Sequence, residues 1–359
     1  MSRSSEYTYT PAWWVPGAHL QTLWGKLVRR APRVETRSEQ WTTPDGDEVE
    51  IRRLDPPAGS PPDTPRLLLL HGLEGTIDSV YLLGMLSQAR QRGWAADVLI
   101  FRTCNGRMNR ARRMYHSGET TDLDFVVRRL VSQHPAQSLL LAGFSLGGNV
   151  LLKWLGEQGT EAPVQVRGAA AVSVPYDLER GSRHIERGFA RVYGWHFLRT
   201  LRAKARAKLR SHPGSFDGDA LERANSLFAF DDVVTAPLHG FRSAVDYYSR
   251  SSSMKFLAGV RRPTLLLSAR NDPFLPAEVL DGVMSSARHN SRLHVEIHES
   301  GGHVGFVSGR NPFRADYYAE SRVADFLAGL VSPGAPVAST ADGRKVSIGL
   351  ANTRDSRDA

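Results

Sequence analysis

Cysteine is nearly absent from this 359-residue chain. Cys104 stands alone, so no disulfide can form within it, and its cysteine usage fits a reducing compartment. Long apolar runs are missing too. No stretch approaches the roughly 18 apolar residues of a membrane-spanning helix, and the opening MSRSSEYTYTPAWWVPG lacks the continuous apolar core of a secretory signal. The expectation is a cytoplasmic protein that does not span a membrane. Acidic residues are outnumbered, with 37 Asp and Glu against 46 Lys and Arg and a formal net charge of +9. Such a balance invites a nucleic-acid partner, but no zinc-ligand spacing, RNA-recognition aromatic signature or helix-turn-helix pattern is present, and nucleic acid is set aside. Neither a metal-ligand cluster nor a phosphate-cradling loop occurs, so no cofactor and no metal is expected. The glycines of Gly143–Gly148 resemble a dinucleotide turn only superficially, because a serine sits at their centre and the acidic partner is missing at the expected offset.

Short apolar runs alternate with longer helix-periodic segments. The runs lie at Arg66–Leu70, Ala96–Phe101, Ser138–Ala142, Ala169–Val174, Pro263–Ser268 and Leu293–Ile297, and Asp122–Val131 is typical of the helical segments. This alternation predicts an α/β fold with a mainly parallel central sheet and helices on both faces. Trp41–Leu54 reads as two strands about the turn Pro44-Asp45-Gly46, an antiparallel edge.

The most informative stretch is Leu139–Val150, LLLAGFSLGGNV. An apolar strand runs into Gly143-Phe144-Ser145-Leu146-Gly147 and a helix follows, which is the context a nucleophile elbow requires. A serine on so sharp a turn needs neighbours without Cβ atoms two residues to either side, and both are glycine. A serine nucleophile needs a base, and the base an orienting acid. Asp272, in Asn271-Asp272-Pro273 just past the strand Thr264–Ser268, is placed to project a carboxylate toward the elbow; Asp231 and Asp232 are rivals that follow no strand of the sheet. His303 lies past the last strand in Gly301-Gly302-His303-Val304-Gly305-Phe306, on a loop that can carry an imidazole over the sheet edge. His294 and His298 alternate with Leu293, Val295 and Ile297, which puts them on the opposite strand face, read as solvated. For the oxyanion, the expected donors are the amides of Leu146, just after the serine, and Leu73, in the turn His71-Gly72-Leu73-Glu74-Gly75, whose glycines would let the backbone bend toward Ser145. In Tyr115–Thr120, His116, Ser117 and Glu119 mimic a second catalytic cluster, but they precede a helix, and Ser117, Thr120 or Thr121 is expected to cap it.

On these residues the chain resembles the AB hydrolase 4, or YheT-like, family of α/β-hydrolase-fold esterases and lipases. The resemblance extends from about Tyr9 to Leu330 and includes Trp13-Trp14, Gly17-Ala18-His19-Leu20-Gln21-Thr22, Arg102-Thr103-Cys104-Asn105-Gly106, Tyr115-His116-Ser117-Gly118-Glu119-Thr120, Phe230-Asp231-Asp232 and Thr235-Ala236-Pro237. It implies hydrolysis of carboxylic esters, short-chain acyl esters or acylglycerols, by Ser145, Asp272 and His303. It also implies an organisation: an N-terminal arm, 1–38, packing on the core; an α/β-hydrolase core, 39–175 and 263–331; an inserted helical cap, 176–262, over the serine. The segment 332–359, rich in small and polar residues, is expected to be a disordered tail.

Within the inserted segment, Arg180–Arg210 holds ten Arg or Lys against the single acid Glu186. With Phe189, Val192, Trp195, Phe197, Leu198 and Leu201 interleaved, it reads either as a cap helix covering the site with its arginines in water or as a cationic surface for peripheral contact with anionic membrane. Two other functions stay open on the same residues: an acyltransferase, which would pass the acyl group to an alcohol or thiol, and a binding scaffold without catalysis.

Overall fold

A computed structural model describes residues 8–332. The expected tail lies outside the described residues except for Ser332, as do the first seven residues of the arm. Eight strands form one sheet: β1 (Arg37–Thr42), β2 (Glu48–Leu54), β3 (Arg66–Leu70), β4 (Ala95–Ile100), β5 (Leu139–Phe144), β6 (Val166–Val172), β7 (Thr264–Ala269) and β8 (Leu293–His298). Their order is β1-β2-β4-β3-β5-β6-β7-β8. From β4 through β8 the pairings are parallel, whereas β1 and β2 form an antiparallel edge closed by the turn at Gly46. Strands β3, β4, β5 and β7 are buried along their whole length, as continuous Leu/Val/Ala runs covered on both faces should be.

Helices α1 (Gly17–Leu27), α2 (Val80–Gln91), α3 (Thr121–Gln133) and α4 (Leu146–Gln158) precede the long segment between β6 and β7. That segment carries α5 (Leu178–His184), α6 (Arg191–Ser211), α7 (Gly218–Arg223), α8 (Leu227–Phe230), α9 (Ala236–His239) and α10 (Ala244–Ser251); α11 (Glu278–Arg288) and α12 (Tyr318–Gly329) complete the helices of the described residues. Sheet parity places helices on both faces. Leu140 pairs with Gly168, whose absent Cβ makes room for Leu330 just after α12, while Gly143, three residues on, faces α4; residues an odd number apart on a strand point oppositely.

The helix α6 buries Tyr193, Leu198, Leu201, Ala205 and Lys208, one stripe at helical spacing. Its inner face joins a second apolar cluster with Met114, Phe230, Val234 and Leu238, and Leu73 touches both this cluster and the sheet's own core. The Lys208 ammonium is taken by the Asn109 and Ala111 carbonyls and by Asn109 Oδ1, at 2.7–3.0 Å. Beneath that contact, the buried Arg102 guanidinium is bound to Asp45, Asp47 and Asp122 at 2.7–3.0 Å, which ties the edge hairpin to the start of α3.

Two local expectations need correction. The first amide of α3 is taken by Glu119, whose Oε1 accepts from Thr121 N–H at 2.7 Å, while the Thr120 hydroxyl at the cap position donates to Glu157 Oε2 at 2.8 Å and caps no helix amide. A carboxylate two residues upstream reaches the helix's positive end better than the hydroxyls. His298 is not solvated: its ring lies 5.1 Å from Tyr9 and 5.4 Å from Tyr318, and Nε2 meets Glu296 Oε1 at 3.2 Å. The N-terminal arm and α12 cover that face of β8, a long-range contact that alternation along one strand does not encode. His294 remains exposed.

Candidate active site

Because β3 through β8 run parallel, the loops after β5, β7 and β8 open on one edge of the sheet. Ser145 stands between β5 and α4 at φ +52° and ψ −121°, a conformation that costs a residue with a Cβ about 1–3 kcal/mol and survives only where its surroundings enforce it. They do. A Cβ on Gly143 would stand 2.5 Å from the Gly147 carbonyl oxygen, and one on Gly147 would stand 2.5 Å from that of His71 and 2.6 Å from that of Leu70. Ser145 N–H also donates to Val172 O on β6 at 2.9 Å.

His303 and Asp272 converge on that serine. With Ser145 Oγ donating, His303 Nε2 accepts at 2.9 Å, while His303 Nδ1 donates to Asp272 Oδ2 at 2.8 Å and lies 3.1 Å from Oδ1. Asp272 is buried; its Oδ1 also accepts from Phe274 N–H at 2.8 Å. The imidazole is held from outside as well: the Phe274 ring stacks on it at 4.1 Å between centroids, and His303 N–H donates to Thr22 Oγ1 at 2.9 Å. Asp231 and Asp232 make no contact with His303 among the described residues.

Sequence reading did not anticipate what α1 does for this loop. A Cβ at Gly302 would lie 2.5 Å from Ala18 O and 2.7 Å from Thr22 Oγ1, and the Gln21 amide brackets Val307, accepting its N–H at 2.7 Å and donating to its carbonyl at 3.2 Å. Gly17–Thr22 therefore seats the histidine loop. The sequence signals were a polar Gln-Thr pair within an otherwise amphipathic helix and the membership of Gly17–Thr22 in the family resemblance, neither of which says what the segment holds.

Leu146 and Leu73, the two residues expected to supply oxyanion amides, line the same cavity as Ser145. Leu146 opens α4, where the first amides of a helix have no internal partner. The Gly72 backbone runs so close that a Cβ there would be 3.3 Å from Ser145 Cβ. Its bend differs from expectation: the left-handed residue is Glu74, at φ +56°, and neither glycine of the turn has positive φ. Gly75 is required by packing, since its Cβ would lie 2.8 Å from His71 Nδ1. His71 is buried, donates from Nδ1 to Gly72 O at 2.7 Å and accepts Phe101 N–H at Nε2; burial drops its pKa to about 4, so it stays neutral and structural.

A cavity of about 150 Å³ reaches Ser145, Leu146 and His303. Its walls are mainly apolar, with Leu178, Ile185, Phe197, Leu201 and Phe230 from the segment between β6 and β7, but Asp231, His116 and His239 also face it. Burial pushes His116 down to about 3 and His239 well below its ordinary value, and raises Asp231 to about 6. Burial thus favours the uncharged form of each of these three side chains. Among the described residues no group of three or more His, Cys, Asp or Glu is arranged to hold a metal ion, and no helix is long and apolar enough to cross a membrane.

A serine on a strand-to-helix elbow, at the C-terminal edge of a mainly parallel eight-stranded sheet and met there by a His–Asp pair from later loops, defines an α/β-hydrolase fold. Residues 65–309 match the alpha/beta hydrolase fold family, and the chain belongs to it. Within that family it is similar to YheT of Escherichia coli (strain K12), at 36% identity over 326 residues covering 90% of this chain and 94% of that protein. The phospholipase ABHD3 of Mus musculus is 30% identical over 315 residues, covering 86% and 76% of the two chains. A monoacylglycerol lipase of Saccharomyces cerevisiae is 28% identical over 275 residues, covering 74% and 60%. Among solved structures, the Pyrococcus furiosus esterase Pf2001 aligns with a TM-score of 0.54 at 16% identity, over 84% of this chain and 97% of that one, a likeness of fold alone.

Proposed function

We propose that the protein is a serine carboxylic ester hydrolase for short- to medium-chain acyl esters or acylglycerol-type lipids. The observation that carries this reading is the unbroken chain Ser145 Oγ, His303 Nε2, His303 Nδ1, Asp272 Oδ2, at 2.9 and 2.8 Å. In the reaction, Ser145 Oγ bonds to the ester carbonyl carbon as its proton passes to His303 Nε2. The carbonyl oxygen takes up the electron pair and is held by the Leu146 and Leu73 amides. The imidazolium, steadied by Asp272, then protonates the departing alcohol, and water repeats the cycle on the acyl-enzyme. The apolar walls of the cavity suit an acyl chain, and relatives named phospholipase and monoacylglycerol lipase support a lipid-like ester. The test is fluorophosphonate labelling of the full chain beside Ser145→Ala, followed by a p-nitrophenyl ester chain-length series. Labelling of wild type alone, with a turnover optimum at short or medium chains, is expected; an unlabelled, folded wild type would refute the reading.

One surface favours lipid as the medium from which substrate arrives. Phe189, Val192 and Trp195 are 53%, 52% and 65% exposed on the outer face of α6 and the turn before it, beside the exposed Arg191 and Arg199. Apolar anchors rimmed by cations suit an anionic bilayer surface. At low salt the protein should sediment with anionic vesicles and not with neutral ones, and Trp195→Ala together with Phe189→Ala should reduce that fraction; equal recovery with both vesicle types would remove the membrane from this account.

A further inference from the structure

The loop after β3, whose Gly72 packs against Ser145, carries three successive amides, and two are already engaged. Gly72 N–H donates to the Tyr81 hydroxyl at 2.8 Å and Glu74 N–H to the Tyr115 hydroxyl at 2.9 Å. Leu73 N–H, between them, donates to no described residue. Its own peptide, Gly72–Leu73, adjoins Leu73–Glu74, whose N–H is held by Tyr115 and after which Glu74 takes a left-handed φ of +56°, a conformation that costs about 1–2 kcal/mol away from glycine and must be enforced from outside. The enforcement comes through the Glu74 carboxylate. Its Oε1 accepts from the Tyr115 hydroxyl at 2.7 Å and from the Lys204 ammonium of α6, also at 2.7 Å. Tyr115 in turn lies flat on Phe101 of the core, 5.7 Å between centroids at 5°. The pair is shielded, with the side chains of Lys204 and Glu74 only 21% and 10% exposed, so it is screened less than an ion pair at the surface.

We infer that Lys204 is a positioning residue for ester hydrolysis: by pairing with Glu74 it locks the peptide that aims the Leu73 amide, so that seating of α6 on the core completes the oxyanion hole. The inference rests on the reading of Leu73 as an oxyanion donor. It makes the segment between β6 and β7 more than a wall of the acyl cavity, because the same helix that contributes Phe197 and Leu201 to that cavity sets the electrostatics at Ser145.

The test compares Lys204→Met, Lys204→Arg and wild type in the full chain, by steady-state kinetics on p-nitrophenyl butyrate and by affinity for an alkyl trifluoromethyl ketone. The ketone probes the hole directly. Ser145 Oγ adds to its carbonyl carbon, the hydroxyl proton moves to His303, and the oxygen becomes the oxyanion. Removal of a whole oxyanion donor costs about 10²–10³ in kcat, so its misalignment in Lys204→Met should cost about 10-fold, with KM held within about 2-fold and ketone affinity weakened in step with kcat. Lys204→Arg should recover part of both. An unchanged kcat, or a reduced kcat with undiminished ketone affinity, overturns the inference. Should Lys204→Met fail to fold, Glu74→Gln carries the same measurement, since it keeps the shape and removes the charge that Lys204 holds. Retained turnover in Ser145→Ala would instead sink the underlying reading, a result separable from any outcome at Lys204.

Discussion

The Tyr248 hydroxyl donates a 2.7 Å hydrogen bond to Asp231 Oδ2 in the wall of the cavity that reaches Ser145. Thr235 Oγ1 donates to the other oxygen at 2.6 Å, and no cation approaches either one among the described residues. Burial therefore outweighs the two hydroxyl bonds and raises the carboxyl from its ordinary 3.8 to about 6. The folded state then holds the proton more tightly than the unfolded chain does. Stability from this group is complete below about pH 3.8 and is lost as pH rises through about 6. Asp231→Asn cannot ionise; its Oδ1 accepts from one hydroxyl while its Nδ2 donates to the other, as the protonated carboxyl does. Its melting temperature should equal wild type in acid and exceed it by a few degrees at pH 7, the order expected for a shift of about two pKa units. The difference between the two proteins matters, because His116, held at about 3 by burial, destabilises both alike as the pH falls below 6.5. A difference that is constant with pH would mean that the carboxyl titrates normally.

Gly147 permits no larger residue. The atoms its Cβ would strike belong to the His71 and Leu70 backbone at the end of β3, which cannot rotate away. Gly147→Ala should lose about 1–3 kcal/mol or more together with fluorophosphonate labelling. Gly329→Ala, where no atom lies within 4 Å of the new Cβ, is the control and should melt within a degree or two of wild type, as a helix-end glycine replaced by alanine costs little. Comparable losses at both positions would show that the elbow's packing is not what selects glycine there.

Triad substitutions set the scale for all other effects. Ser145→Ala and His303→Ala should each lower ester turnover at least about 1000-fold, and Asp272→Asn somewhat less, because the neutral amide still occupies the site while no longer favouring the Nδ1–H tautomer. Near-normal kcat in either of the first two variants would remove the serine mechanism.

Much of this architecture was legible before any coordinates. β3 spans the predicted Arg66–Leu70, and the other parallel strands differ from expectation by at most a few residues at their ends, since buried parallel strands write themselves as uninterrupted apolar runs. Ser145, Asp272 and His303 were each marked by local chemistry: glycines that a strained turn requires, and loops that begin where strands stop. Less legible were contacts between segments distant in the chain. Nothing local marks Gln21 and Thr22 as the seat of a histidine loop some 280 residues on, Glu74 as the left-handed residue of its turn, Glu119 as the cap of α3, or the burial of His298 under Tyr9.

The sequence by itself determined the main strands, their mainly parallel character and the three residues that meet, because each is marked by steric and hydrophobic rules that act over a few residues. Only the tertiary structure decided how those residues are braced and what surrounds them. The Phe274 ring against His303, the Lys204 ammonium on Glu74 and the raised pKa of Asp231 in the cavity wall depend on distance and burial, and both come into being only when remote parts of the chain exclude water together.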